Sequence, residues 1–332
     1  MKVESKIKIA QVGCGYWGKN LLRNFADIGA LAAVVDHDPV LAKKAAETYQ
    51  VPAMSLEDVL ADNSISGISL ATPAPTHASL TGLALSAGKN VFVEKPIALN
   101  PSEAEQLQAL AERNGLILMV GHLLQYHPIF LALHDLVIKG VLGELRYIYS
   151  NRMSLGKFRV EENVLWSFAP HDISMVLALV GCEEPTLVTA QGASFVTAGV
   201  ADWSTVQLRF ASGVHAHVQT SWLHPFKEQR LTVIGSEAMA VFEDSKQDWD
   251  QRLTIYRHTI DVTKFGPVPT AASPEYIKVE KREPLRDECA HFVDCIANGH
   301  SPRTDGYEGI RVLRVLDKAE RAMQANGVQI NG

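Results

Sequence analysis

The sequence has few cysteines, no basic run and no long apolar stretch, and each absence removes a class of protein. Four cysteines in 332 residues, Cys14, Cys182, Cys289 and Cys295, show neither CxxC nor metal-ligand spacing. That excludes a disulfide scaffold and fits free thiols in a reducing compartment. No run of about 18 apolar residues exists, so no membrane-spanning helix is expected. Thirty-one Lys plus Arg against 37 Asp plus Glu leave a net charge of −6. The electrostatic footprint of a nucleic-acid binder is missing. The opening Met1-Lys2-Val3-Glu4-Ser5-Lys6-Ile7-Lys8 lacks the apolar core of a secretory leader, which points to a cytoplasmic location. Internal repeats and low-complexity linkers are also absent.

What is present is an ordinary globular composition, 47% hydrophobic and 20% charged, long enough for two domains at roughly 150 residues each. Residues 1–122 alternate short apolar runs with helical patterns. Ile7–Val12, Leu31–Asp36, Gly67–Ala71, Asn90–Val93 and Leu116–Val120 read as strands. Helices are expected over Trp17–Ile28, Pro39–Tyr49, after Ser55, over Thr76–Ala87, and from Ser102 to Asn114. Wholly apolar strands alternating with helices predict a parallel sheet covered on both faces, the doubly wound Rossmann arrangement.

Residues 123–332 read differently. Val206, Leu208 and Phe210 alternate with Thr205, Gln207 and Arg209, and Val214, Ala216 and Val218 with His215, His217 and Gln219. This is the period of a large open, mostly antiparallel sheet with one apolar face. Helices over Pro170–Val180, Arg286–Asn298 and Asp305–Gln324 are expected to cover that face, giving an α+β domain. Asp261–Pro274, with Gly266 and three prolines, reads as a mobile loop.

Gly13-Cys14-Gly15-Tyr16-Trp17-Gly18 is a GxGxxG between a predicted strand and a predicted helix. Asp36 ends the next strand. Together they form the dinucleotide-binding context. Gly13 permits a tight turn, Gly15 lets backbone approach a pyrophosphate, and Gly18 lets helix and strand pack. The helix N-terminus offers free N–H groups to phosphate. Asp36 suits the adenosine ribose hydroxyls and repels a 2′-phosphate, which favours NAD over NADP. Thr72, Pro73 and His77 follow another strand at its carboxyl end; His77 either lines the cleft or caps its helix.

Glu94-Lys95-Pro96 also follows a buried strand. A Lys there lies beside the cofactor cleft, although a lone Lys is ordinarily a solvated surface group. The fingerprint, this triplet, Gly121-His122 with Tyr126 and Pro128, and Pro170-His171-Asp172 together resemble the Gfo/Idh/MocA oxidoreductase family. The resemblance implies an NAD-dependent dehydrogenase with Lys95 catalytic, Pro96 cis and His171 catalytic. Many members carry Asp four residues before that His; here Ser167 stands there, so Asp172 becomes the candidate support. Its competing role is to stabilise a helix N-terminus. The chemistry is coherent. Oxidising a secondary alcohol needs hydride transfer to nicotinamide and removal of a proton. An imidazole with an ordinary pKa of about 6.5 suits the base, and an ammonium stabilises the alkoxide. The expected cofactor set adds Tyr16, Trp17, Glu94 and Gln125.

Asn151 to Gly156, Asn163 to Trp166, and Ser221 to Lys227, together with Ala169 to Ile173, resemble the branch that oxidises the 3-hydroxyl of UDP-linked N-acetylglucosamine sugars. Arg152 and Lys227 are candidates to pair with a diphosphate. Trp166 either stacks on a ring of the substrate or packs in the core; Trp222 is expected in the core. Lys95, Tyr126, Arg152, Asn163, Trp166 and His171 form the expected substrate set. No metal site is expected: His215 and His217 face one way but lack a third ligand. Their polar face resembles the family's subunit interface and implies a homodimer or homotetramer. Two other readings stand beside the nucleotide-sugar one: a dehydrogenase of a free polyol such as inositol, and a non-catalytic NAD sensor motivated by Ser167.

Overall fold

Short apolar runs bounded by turns build the first half of the computed structural model, which describes residues 6–325. Most of the opening stretch weighed as a leader, residues 1–5, lies outside the described residues. Strands β1 (Ile9–Val12), β2 (Leu31–Val35), β3 (Gly67–Leu70), β4 (Asn90–Glu94) and β5 (Leu118–Gly121) alternate with helices α1 (Gly18–Asp27), α2 (Pro39–Tyr49), α3 (Leu56–Ala61), α4 (His77–Ser86) and α5 (Pro101–Arg113). The strands form one sheet in the order β2-β1-β3-β4-β5, and every pair in it is parallel. β1, β3 and β5 are buried at every residue, as a sheet covered on both faces requires. Short polar side chains start the helices by accepting orphan backbone N–H groups. Asp38 accepts from Val40 N at 2.8 Å and Ser55 from Asp58 N at 3.0 Å. Asn100, rather than the expected Ser102, caps α5 from Glu103 N at 2.9 Å. Pro101 at the first helical position makes the earlier start favourable.

The chain then forms α6 (Pro128–Ile138), β6 (Leu145–Leu155), α7 (Val164–Leu179), β7 (Leu187–Ala193), β8 (Trp203–Arg209), β9 (His215–Ser221), β10 (Leu223–Gly235), β11 (Met239–Glu243), β12 (Leu253–Tyr256), β13 (Thr259–Thr263), β14 (Gly266–Thr270) and β15 (Glu275–Tyr276). Eight of these strands form a sheet in the order β15-β12-β11-β10-β6-β9-β8-β7. All its pairs are antiparallel except β6 with β9. The period-two pattern lies as read: Val206, Leu208, Ala216 and Val218 are buried, while Gln207, Arg209 and His215 are exposed. Helix α7 packs on β6, β8 and β9.

Two helices close the chain, α8 (Pro284–Asn298) and α9 (Gly306–Ala325). The chain divides at Tyr126/His127, Arg282/Glu283 and Arg314/Val315 into two compact units. Helix α8 therefore does not cover the large sheet. Its Leu285, Cys289 and Phe292 join Ile9, Leu21, Phe25, Phe92 and Met119 in one buried cluster. Phe92 meets Phe25 at 6.3 Å and Phe292 at 5.8 Å between ring centroids, both edge-on. Such edge-to-face pairs add to the burial energy itself. The helical pattern reveals an apolar stripe but not the partner that buries it.

Two further expectations change. Helix α7 begins at Val164, capped by Asn163 accepting from Trp166 N at 3.2 Å, and Pro170 lies inside it. His171 and Asp172 are thus mid-helix residues, not a helix N-terminal pair. The segment read as a mobile loop from Asp261 is largely the hairpin β13–β14. Thr259, Ile260, Val262 and Thr263 carry the β-branched preference for extended backbone, and Gly266 supplies the left-handed turn at φ 114°.

Candidate functional site

In the first unit the glycine turn is shaped by close approach. Gly13 has φ 90°, and a Cβ there would lie 2.4 Å from Ala71 O. A Cβ on Gly18 would lie 2.0 Å from Gly13 O, whereas one on Gly15 meets nothing within 4 Å. Gly13 and Gly18 are therefore required by the protein's own packing. Gly15 faces open space, as a cradle for a pyrophosphate demands. No side chain caps α1; Lys19 N and Asn20 N already donate to Gly15 O and Trp17 O, so the turn ahead of them and the positive end of the helix dipole are what face a phosphate. Tyr16 and Trp17 flank the turn, Tyr16 at 86% exposure.

The Asp36 side chain, 4% exposed, accepts from Cys14 N at 2.6 Å and from Asp38 N at 2.9 Å. Each oxygen keeps a further lone pair for a ribose hydroxyl. Burial, with Asp36 nearby, pushes the Cys14 thiol up to about 12, so this cysteine is an inert thiol in the turn. The residues present fit NAD.

At the carboxyl ends of β3 and β4, His77 does something that neither sequence reading foresaw. It is 2% exposed and neither faces a cleft nor caps α4. Its Nδ1 lies 2.7 Å from Pro96 O and its Nε2 2.8 Å from Thr72 O. The ring pins the two strand ends together, because both nitrogens are taken by carbonyls. A neutral imidazole donates to only one of them at a time; burial lowers the His77 pKa, outweighing the opposing pull of the two carbonyls. Thr72 Oγ1 bonds Thr76 Oγ1 at 2.7 Å beside Pro73. Lys95 stands between Glu94 and Pro96, and the Lys95–Pro96 bond is cis. Glu94 accepts a hydrogen bond from Trp17 Nε1.

Two of the expected site residues of this unit are buried. Tyr126 is 4% exposed, belongs to the α8 cluster, and bonds Thr304 Oγ1 at 3.2 Å. Its large apolar ring finds its partners in the cluster. Gln125, also buried, donates to Glu308 Oε1 at 3.0 Å. The other oxygen of Glu308 meets His122 Nδ1 at 2.5 Å. Glu308 lies 186 residues from His122, and nothing in the spacing announces it.

In the second unit Asp172 is 1% exposed. Its carboxylate accepts from Arg152 Nε and from Ser150 Oγ, both at 2.5 Å. Asp172 therefore holds Arg152. Consecutive helical residues point about 100° apart and do not face each other. By the same contact Arg152, 9% exposed, is a structural ion pair rather than an open diphosphate ligand. Asn163 and Trp166 both donate to Glu320, Asn163 Nδ2 at 3.1 Å and Trp166 through its indole N–H. Trp166 is thus anchored by its polar edge, and Glu320 was not anticipated. His171 is half-buried and Lys227 exposed. Trp222, at 1% exposure, packs in the core as expected. His217 bonds the Tyr147 hydroxyl and stacks on Tyr149 at 5.5 Å.

Comparison with known proteins places this arrangement. A model described as oxidoreductase family, NAD-binding Rossmann fold, matches residues 7–122. A model of the GFO/IDH/MocA C-terminal domain matches residues 130–241. The chain is 28% identical over 318 residues to UDP-N-acetylglucosamine 3-dehydrogenase of Acidithiobacillus ferrooxidans, covering 95% of this chain and 96% of that protein. It is 25% identical to inositol 2-dehydrogenase of Rhizobium meliloti, covering 96% and 97%. A solved structure of the Acidithiobacillus ferrooxidans enzyme superposes with a TM-score of 0.84 at 27% identity, over 96% of this chain and 98% of that one.

Proposed function

The chain belongs to the GFO/IDH/MocA oxidoreductase family, and from that membership we propose that it oxidises the 3-hydroxyl of a UDP-N-acetylglucosamine-type nucleotide sugar to a ketone. The observation that carries the substrate is the near full-length similarity to a UDP-N-acetylglucosamine 3-dehydrogenase. NAD, when bound, accepts the hydride. The chain supplies the rest. The Gly13–Gly18 turn and the N-terminus of α1 bind the diphosphate, and Asp36 orients the adenosine ribose. The Lys95 ammonium stabilises the developing alkoxide, and His171 takes the hydroxyl proton. His77 positions Lys95 through Pro96 O. The dehydrogenase relatives favour an enzyme over a non-catalytic NAD sensor.

One observation favours a second reading. Arg152 is committed to Asp172 and so does not stand open to a diphosphate, which suits a free polyol such as inositol. A thermal-shift comparison with NAD present separates the two. UDP-N-acetylglucosamine at a hundredfold excess over its Kd is expected to stabilise the protein by about 2.7 kcal/mol, and myo-inositol by nothing measurable. The opposite ranking replaces the nucleotide sugar with the polyol.

The same reading includes a cytoplasmic homo-oligomer formed through the outer face of the large sheet. No helix among the described residues is long and apolar enough to cross a membrane. Tyr147, Tyr149 and His217 make that face aromatic as well as polar. Light scattering is expected to return two or four times the 36.3 kDa chain mass; a monomeric mass removes the oligomer.

A further inference from the structure

In an open α/β sheet a dinucleotide lies across the carboxyl ends of the strands, with its phosphates at the point where strand order reverses. Here that point is β1, flanked by β2 and β3. With phosphates on the β1–α1 turn and the adenosine ribose on Asp36 at the end of β2, the nicotinamide half falls toward the ends of β3 and β4. Glu94 ends β4. Trp17, in the phosphate-binding turn itself, donates its indole N–H to that carboxyl. This placement rests on the NAD reading above.

Glu94 is unusually surrounded. Gly121 pairs with it across β4 and β5, and a Cβ on Gly121 would lie 3.0 Å from the Glu94 carboxyl carbon. The carboxyl therefore rests against bare backbone. The groups around it are the Trp17 indole from the start of α1, Lys95 beside it, and His122 from the end of β5. Behind these stand Glu288 of α8 and, bonded to His122, Glu308 of α9. Glu288 is fully buried, and neither of its carboxyl oxygens has a hydrogen-bond partner. Burial, then Glu94 and Glu308, push Glu288 well above the usual carboxylate range. Burial likewise pushes Glu94 up to about 7, against the pull of Trp17, Lys95 and His122. The carboxyl that ends β4 is thus the one of the pair raised only to about neutral pH.

We propose that Glu94 couples a proton to the charge of the cofactor. Its carboxyl is ionised when oxidised NAD, with a cationic ring, is bound, and takes up a proton when the neutral reduced cofactor replaces it. The proton comes from and returns to water, and no bond to carbon changes. Glu94 is in this sense a discriminator between the two redox states of one ligand. A pH-dependent preference follows by linkage, since the ligand that favours the ionised form binds better as pH rises.

The test is calorimetric titration of the whole protein with NAD+ and with NADH, at pH about 6 and about 8.5, without sugar substrate. Near one unit below its midpoint only about one Glu94 carboxyl in ten is ionised. NAD+ affinity is therefore expected to fall about tenfold from the higher pH to the lower, while NADH affinity changes less than about twofold. In Glu94→Gln, NAD+ is expected to bind at the weaker level at both pH values. Glu94→Asp, which keeps a titrating carboxylate, is expected to retain the dependence. It keeps the question decidable should the amide variant fail to fold. Parallel responses of NAD+ and NADH, or an unchanged dependence in Glu94→Gln, overturn the proposal. Failure of either cofactor to bind at any pH would instead overturn the NAD reading on which it rests.

Discussion

Replacing Lys95 by alanine is expected to lower kcat by about a hundred- to a thousandfold, the usual cost of removing one preorganised group that stabilises developing charge. NAD binding should survive, because the glycine turn and Asp36 are untouched. Lys95→Arg should not restore the rate. A planar guanidinium cannot take the place of a compact ammonium at a site fitted to it. Removal of the imidazole in His171→Ala is expected to cost about a hundred- to ten-thousandfold, the range for general acid–base groups. The double variant should fall well short of the product of the two losses, since groups that act as a unit are not additive. Steady-state NADH production from the alcohol substrate, with NADH binding measured separately, checks all four outcomes. A variant pair that turns over like the parent would remove both residues from the chemistry.

Asp172→Ala is expected to destabilise the protein by about 3–5 kcal/mol, because it leaves the Arg152 guanidinium buried without its carboxylate. Arg152 and Asp172 expose only 11% and 1% of their side chains, so water cannot take over the lost contact. Replacing both by apolar residues of similar volume should recover much of the stability. Chemical denaturation followed by tryptophan fluorescence measures this. A catalytic Asp172 would behave in the opposite way, losing turnover while unfolding at the parent's denaturant concentration.

The difference between these two predictions marks what was legible in the sequence. The doubly wound unit was legible because its signals are local: apolar runs of strand length, caps at the starts of helices, and a glycine spacing contained within six residues. The candidate cofactor contacts Gly13, Gly15, Gly18 and Asp36 share that locality, and Lys95 emerged once the triplet was set beside the fingerprint. The errors came where a side chain's partner is distant. Arg152 read as a free cation until Asp172 met it across the turn from strand to helix. Tyr126 and Gln125 read as cleft residues, but Thr304 and Glu308, far along the chain, hold them. His77 read as a cap or a contact because no pattern encodes two carbonyls closing on one imidazole. Helix α8 was visible as a helix, yet amphipathicity does not say which core receives it. Pro170 read as a start because proline favours that position; Asn163, seven residues earlier, capped the helix first.

Helix α8 also bears on how the protein is made. When synthesis has passed Tyr126, the apolar surface around Phe25 and Phe92 still awaits Phe292, more than 150 residues downstream. A nascent chain must carry this unfinished surface past the whole large sheet before it can be sealed. An isolated fragment ending after β5 would be left sticky rather than folded. An engineer wanting the dinucleotide module alone would need to splice the segment from Glu283 to Arg314 directly onto it.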